Sequence, residues 1–396
     1  MLSNRRFFVT LNGSSSRWRR QKNGLPQGSV LAPLLFNIYT NDQPIHPGTK
    51  SYLYADDLCI ASQKQSFEDV EKALGDALAG LAPYYAANHL RANPEKTQLS
   101  VFHLKNRAAD RQLRVRWYGQ WLKHTTKPVY LGVTLDRSLT YKEHVAKTKA
   151  KAGARNSILK KLANSRWGTD ANTIRTTALA LCYSTAEYAA PVWCRSSHAA
   201  KIDPVLNAAC RAITGCLRPT GVDDLYLLSG IAPPHIRREV SARAEKNKQE
   251  VNPLHPLFNC TPAKKRLKSR RSFLHSTESL DGPTNSERIT LWSNHLQSVT
   301  RQVSIGPSES LPPGSSQEWP TWQCLNRLRS GIGRCKVLMQ KWGYNRNGDT
   351  TCDYGEDQTM QHLLVCPLLP EPCTTNDLES LNPKAKSCIL HWKGLV

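Results

Sequence analysis

Two adjacent carboxylates, Asp56 and Asp57, stand in the run Ser51-Tyr-Leu-Tyr-Ala-Asp-Asp-Leu-Cys-Ile-Ala61, between short apolar stretches of strand composition. The pattern predicts a tight hairpin with its acids at the tip. Hard oxygen ligands on a rigid hairpin are what Mg²⁺, or Mn²⁺, requires if it must also hold a triphosphate. An Asp pair in a turn is equally an ordinary solvated feature. Upstream, Gly24-Leu-Pro-Gln-Gly-Ser29 makes a Gly/Pro turn before Val30-Leu-Ala-Pro-Leu-Leu-Phe-Asn-Ile-Tyr39. Val30, Leu34, Leu35 and Ile38 share one helical face, and Pro33 falls in the first turn, where its missing N–H does no harm. Pro26, Gln27 and Gly28 would bring bare backbone and one amide side chain to a helix start, suited to a nucleotide or its phosphates. The alternative is an ordinary loop before a core helix.

Turn, helix and acidic hairpin, in that order, resemble the reverse transcriptases of non-LTR (LINE-type) retrotransposons, particularly the jockey-like groups. Gly24–Phe36 is similar to the family's motif B, and Tyr54–Asp57 to its catalytic motif C. Asn93-Pro-Glu-Lys-Thr97 is similar to motif D, and Val129-Tyr-Leu-Gly-Val-Thr-Leu-Asp136 to the motif E region that grips the primer. Glu187-Tyr-Ala-Ala-Pro-Val-Trp193 looks like the helical region beyond the palm. The resemblance implies an RNA-directed DNA polymerase that extends a DNA primer on an RNA template with dNTPs, by two-metal nucleotidyl transfer. Asp56 would be the first metal ligand and Asp57 an assisting carboxylate. Pro26, Gln27 and Gly28 would lie by the incoming nucleotide and template. Lys96 would protonate the departing pyrophosphate; a surface lysine at a strand start is the alternative.

In-line phosphoryl transfer needs carboxylates from more than one strand. In the family the partner Asp lies in motif A, upstream of motif B. No Asp or Glu occurs here before Asp42, which falls past the motif B helix. The expectation is a chain that starts after motif A and carries half of a metal site. A catalytically inactive, basic nucleic-acid-binding remnant is then the alternative to a polymerase.

A second donor set, Cys352, His362 and Cys366, resembles the Cys/His knuckle at the end of many LINE-type proteins. His362 and Cys366 are four residues apart, so a helix would turn both toward a metal. A closed structural zinc site needs four ligands, usually with a close Cys pair. Tyr354 stands where the family usually offers the second Cys, and nothing in the spacing favours Cys373, Cys335 or Asp353 as substitute. The competing reading is a degraded knuckle held by Leu363 and Leu364.

Several elements must position these groups. Phe7, Val9 and Leu11 alternate around an Asn12-Gly13 turn, predicting a hairpin over residues 5–22. Phe67, Val70, Leu74, Ala77, Leu78 and Leu81 keep helical spacing, with Ser66 and Asp69 resembling a capping box. Strands around 97–103 and 129–135 would complete a palm-like sheet. From about 140 to 235 the pattern turns helical, with Ile174, Ala178, Leu181, Cys182 and Thr185 on one face, and Trp193 and the Cys210–Cys216 stretch read as core.

The fold class expected is α+β: a partial right-hand polymerase palm, an antiparallel sheet with packed helices, then a helical thumb-like region and a small Cys/His-containing piece. The boundaries read as 1–137 for partial fingers and palm, 138–240 for thumb and connection, 241–320 for a basic Pro/Ser-rich linker, and 321–396 for the C-terminal region.

Charge points to a polyanionic partner. Among 396 residues, 54 are Lys or Arg and 31 Asp or Glu, a net charge of +23, which is a footprint for nucleic acid. Between Lys142 and Arg166 there are eight basic residues and one acid, Glu143. Lys147, Lys149, Lys151, Arg155, Lys160 and Lys161 would line a helical surface that tracks a phosphate backbone. Lys264-Lys-Arg-Leu-Lys-Ser-Arg-Arg271 reads as a nuclear-localisation signal, a nucleic-acid tether or a solvated charge run. No apolar run is long enough to span a membrane and no signal-peptide pattern opens the chain. Twelve scattered cysteines suit reduced thiols. The location expected is intracellular, in nucleus or cytoplasm.

Overall fold

A computed structural model describes residues 5–21, 24–26, 28–103, 105–163, 169–260, 277–280, 282–345 and 347–396. Gln27 and the basic run 264–271 lie outside the described residues. The chain divides into two compact units, residues 1–138 and 139–396. A mixed strand-and-helix, palm-like region precedes a long helical stretch and a C-terminal Cys/His cluster.

In the first unit, Arg5–Phe7 pairs with Arg19–Gln21, and Thr10–Leu11 with Ser14–Ser15. Asn12 and Gly13 both have positive φ, +49° and +79°, the conformation that a two-residue hairpin loop demands. The helix Ala32–Thr40 follows with Pro33 in its first turn. Thr49–Tyr54 and Asp57–Ser62 form an antiparallel hairpin in register from Thr49↔Ser62 to Tyr54↔Asp57.

The helix Phe67–Ala87 starts at Ser66, whose side chain accepts the Asp69 N–H at 3.0 Å, with Glu68 and Asp69 in the first turn. Both features satisfy the free donors of a helix start. Its face, Leu74, Leu78, Leu81 and Tyr85, packs with Leu99, Val101, Val115 and Trp117. Leu58 and Ile60 of the hairpin reach the same core, which anchors the hairpin while its tip stays in solvent. The Trp117 indole N–H donates to the Leu78 carbonyl at 3.1 Å. The strands of this unit pair two by two. Gln98–Leu99 runs parallel to Lys123–His124, and Val129–Tyr130 antiparallel to Val133–Thr134.

The second unit is helical. Lys142–Leu162 buries His144, Val145, Thr148, Ala152, Asn156 and Leu159. Around it pack Ala171–Thr177, a π-helical turn Ala178–Tyr183 and Asp203–Thr214, while Val222–Ser229 packs on Asp203–Thr214 and Pro234–Val251 on Ala190–Trp193. Thr284–Leu296 packs on Pro234–Val251, and Trp319–Arg329 on Asp203–Thr214. Trp193, Trp292 and Trp322 are fully buried in one core with Cys210 and Cys216. Polar contacts link these helices: Arg237 binds Glu187 through two hydrogen bonds, at 2.5 and 2.9 Å. Arg288 grips Glu309 at 2.6 and 2.8 Å. Among the described residues no helix is long and apolar enough to cross a membrane.

Candidate functional site

The acidic hairpin carries its carboxylates where local geometry puts them. Asp57 begins the strand Asp57–Ser62 opposite Tyr54, and Ala55 and Asp56 form the connecting turn. Ala55 has φ +50°, a left-handed conformation that costs a residue with a Cβ about 1 kcal/mol. Asp56 and Asp57 are both exposed. Two carboxylates at a solvent-facing tip can take a hard divalent cation and leave coordination positions for substrate oxygens.

The turn before the first helix is ordered by its own backbone. The Ser29 N–H donates to the Pro26 carbonyl at 3.1 Å, and the Ala32 N–H to the Ser29 carbonyl at 3.1 Å. Gly28 sits at φ +86° with open space where a side chain would stand, so its backbone can be approached closely. The residues read as one helical face are largely exposed: Val30, in the turn before the helix, is 93% exposed and Ile38 65%, which does not fit the alternative of a core helix. Asp42, just past this helix, accepts the Tyr84 phenol O–H at 2.8 Å. Lys96 is exposed, in a turn where its N–H donates to the Asn93 side chain at 3.1 Å.

The basic helix Lys142–Leu162 buries one side and exposes Lys147, Lys149, Lys151, Lys160 and Lys161. Arg155 differs. Its guanidinium donates to the Leu181 carbonyl at 2.7 Å and to the Thr185 hydroxyl, so it ties this helix to the π-helical turn. Burial, and after it the charges of Lys151 and Lys147, hold His144 below its ordinary pKa.

At the C-terminal cluster, a reverse turn and a short helix bring three donors together. The Gly355 N–H donates to the Cys352 carbonyl at 2.8 Å and the Cys352 N–H to Glu356 at 2.7 Å. The helix His362–Val365 places Cys366 at its C-terminal cap. Ligand atoms of Cys352, His362 and Cys366 lie within 4.8 Å of one another, all buried. Cys352 Sγ is 3.0 Å from His362 Nε2. The other ring nitrogen, Nδ1, is 3.0 Å from a Glu356 carboxylate oxygen, the outer contact that orients a metal-binding imidazole. Sequence spacing gave no hint of Glu356; only the turn folds it back onto His362. Cys335, Cys373 and Asp353 are not part of the three-donor group. One imidazole and two thiols fit a zinc-like ion with one coordination position open.

Residues 2–135 match the family Reverse transcriptase (RNA-dependent DNA polymerase). Over 228 residues the chain is 30% identical to the probable RNA-directed DNA polymerase from transposon BS of Drosophila melanogaster, covering 54% of this chain and 25% of that protein. It is 31% identical over 149 residues to the RNA-directed DNA polymerase from mobile element jockey of Drosophila funebris, 36% of this chain and 16% of the relative. Residues 2–135 are thus similar to reverse transcriptases, and about half of the chain to RNA-directed DNA polymerases of mobile elements. A third relative, the Pol polyprotein from type-1 retrotransposable element R1 4 of Nasonia vitripennis, is 25% identical over 48% of this chain and 52% of its own length. The matches to transposon BS and jockey span a quarter or less of those proteins. The acidic hairpin, the Gly/Pro turn and the Asn93–Thr97 turn all lie inside the family match.

Proposed function

We propose that this chain carries the palm and thumb of an RNA-directed DNA polymerase from a non-LTR retrotransposon, which extends a DNA primer on an RNA template with dNTPs. The observation that carries this reading is the exposed Asp56–Asp57 tip on a hairpin anchored by Leu58 and Ile60, inside the reverse-transcriptase match. Asp56 and Asp57 hold Mg²⁺ or Mn²⁺. Bound there, the cation neutralises charge on the transferring phosphoryl group. Pro26, Gln27 and Gly28 lie along the nucleotide and template. Lys96 donates a proton to the departing pyrophosphate. The exposed lysines of Lys142–Leu162 follow the nucleic-acid backbone, and Cys352, His362 and Cys366 hold Zn²⁺ as a structural ion, in a protein of the nucleus or cytoplasm.

A second reading rests on a specific feature. Among the described residues, no third carboxylate joins Asp56 and Asp57 within metal-binding distance, and clamping both reacting oxygens takes more than two ligands from one turn. On this reading the chain binds nucleic acid without extending a primer, because Asp56 and Asp57 have no third carboxylate beside them among the described residues.

Primer extension on poly(rA)/oligo(dT) with Mg²⁺ or Mn²⁺ separates the two. Synthesis by the wild type that disappears in Asp56→Ala establishes the polymerase. Salt-sensitive binding of the template without extension establishes the second reading. A binding constant that does not respond to salt would sink both.

A further inference from the structure

A cavity of about 250 Å³ opens beside the end of the basic helix, between the C-terminus of Asp203–Thr214 and the start of Trp319–Arg329. Among the described residues three cations line it, Lys160, Arg211 and Arg327, and no Asp or Glu does. Carboxylates face several inner arginines elsewhere, such as Arg237 on Glu187 and Arg288 on Glu309; here, as at Arg175 and Arg329, the guanidinium groups meet backbone oxygens. Arg211 is steadied by the Arg218 and Thr220 carbonyls at 3.1 and 3.3 Å. Arg327 donates to the Gly215 carbonyl at 3.0 Å and to Val396 O at 2.5 Å. Both forks are therefore held in place by neutral or terminal backbone oxygens rather than by acidic side chains. Burial, and after it the charge of Arg334, lower the Arg327 pKa.

Two further donors belong to lining residues. Arg211 Nε and Trp319 Nε1 are buried and have no acceptor among the described residues, which is uncommon for buried N–H groups and calls for an explanation such as an absent ion. The floor is tight. A Cβ on Gly215, at φ +69°, would stand 2.2 Å from Gln323 Cγ.

We propose that this cavity is a phosphate-binding subsite, occupied by a backbone phosphate of the single-stranded nucleic acid that runs along Lys142–Leu162. Lys160 belongs both to that exposed lysine row and to the cavity wall, so the strand passes from one to the other. The inference rests on the nucleic-acid-binding part of the proposed function, and a free phosphate is the other source of the same chemistry.

The test uses the full chain, a fluorescein-labelled single-stranded RNA and inorganic phosphate. Gln323→Glu places a carboxylate in the cavity with almost no change of shape, and Lys160→Glu does so from its exposed rim. Thermal melting identical to wild type shows that each variant is folded. Both variants should weaken RNA binding about fivefold at low salt and flatten the slope of log affinity against log salt by about 0.7, as for one lost phosphate contact on a single strand. If wild type binds RNA steeply with salt and neither variant changes slope or affinity, the cavity assignment falls and the nucleic-acid reading stands. If wild type itself shows no salt dependence, both fall. Loss of inorganic phosphate binding in Gln323→Glu with RNA binding intact overturns the backbone assignment in favour of a free phosphate.

Discussion

At Ala55 the backbone holds a left-handed conformation just before the two carboxylates, and this shapes how the tip behaves. Glycine adopts that φ without a Cβ clash, so Ala55→Gly should stabilise the first unit by about 1 kcal/mol, measured by urea denaturation. Glu187 is a residue of another kind. It meets the Arg237 guanidinium through two hydrogen bonds, and both side chains are about four-fifths buried. Glu187→Gln removes the nearer of two counter-charges, Glu309 remaining 3.6 Å from the guanidinium, and should cost about 1–2 kcal/mol, less than a fully buried lone pair because water still reaches both groups. A lowered thermal midpoint with the helical circular dichroism of the native state at low temperature would show it. At the Cys/His cluster, Tyr354 occupies the turn between Cys352 and Glu356, its N–H donating to Cys352 Sγ at 3.4 Å. Tyr354→Cys should complete a four-donor set and raise zinc affinity at least about tenfold, whereas Cys366→Ser should abolish binding. Competition with a chromogenic chelator reads both.

Among the elements, Lys142–Leu162 does two jobs with its two faces. One face inserts His144 into the core, where its ring lies 5.9 Å from that of Trp193; the other presents lysines. The two are coupled electrostatically, since Lys151 and Lys147 add to burial in lowering the His144 pKa from 6.5. A histidine with a lowered folded-state pKa binds its proton more readily in the unfolded chain. Stability is therefore unaffected above about pH 7 and falls as pH drops through the unfolded value near 6.5. His144→Gln should shrink the loss of thermal stability between about pH 7.5 and 5.5. The hairpin Thr49–Ser62 is the simpler case. Its strand composition and two-residue turn are local properties, and the structure forms the hairpin that the residue pattern predicts. The same holds for the Asn12–Gly13 loop and for the Ser66 cap. Strands 98–99 and 129–134 were legible as strands, but their partners were not. Pairing Gln98 with Lys123 in parallel depends on a chain reversal through residues 100–122 that no local pattern encodes.

Across the whole molecule, two surface properties stand out: a charge of +23 and an apolar face on the first unit. Leu34 and Ile38 lie in the first helix and Val30 in the turn before it, and all three are exposed. Exposed apolar patches of this kind favour association. Ile38→Glu should lower self-association of the chain, read as a shift toward monomer in sedimentation velocity at raised salt, where charge repulsion is screened. The helical spacing of these residues was plain in the sequence, and a core helix was one reading of it. Whether another surface covers such a face is a property of the fold, and here the described residues leave it open to solvent.

The acidic tip, the glycine turn, the capped helix and the basic face of Lys142–Leu162 were determined by the sequence alone, because each depends on residues a few positions apart. Periodicity, turn chemistry and charge spacing are short-range, and they carried the family resemblance as well. Tertiary structure decided the rest. It turned Arg155 inward to Leu181, folded Glu356 onto His362, joined Glu187 to Arg237, and gathered Lys160, Arg211 and Arg327 around one cavity. Glu356 is carried to His362 by a local turn, whereas the other groups are brought together by packing of the core, whose partners lie up to a hundred or more residues away along the chain.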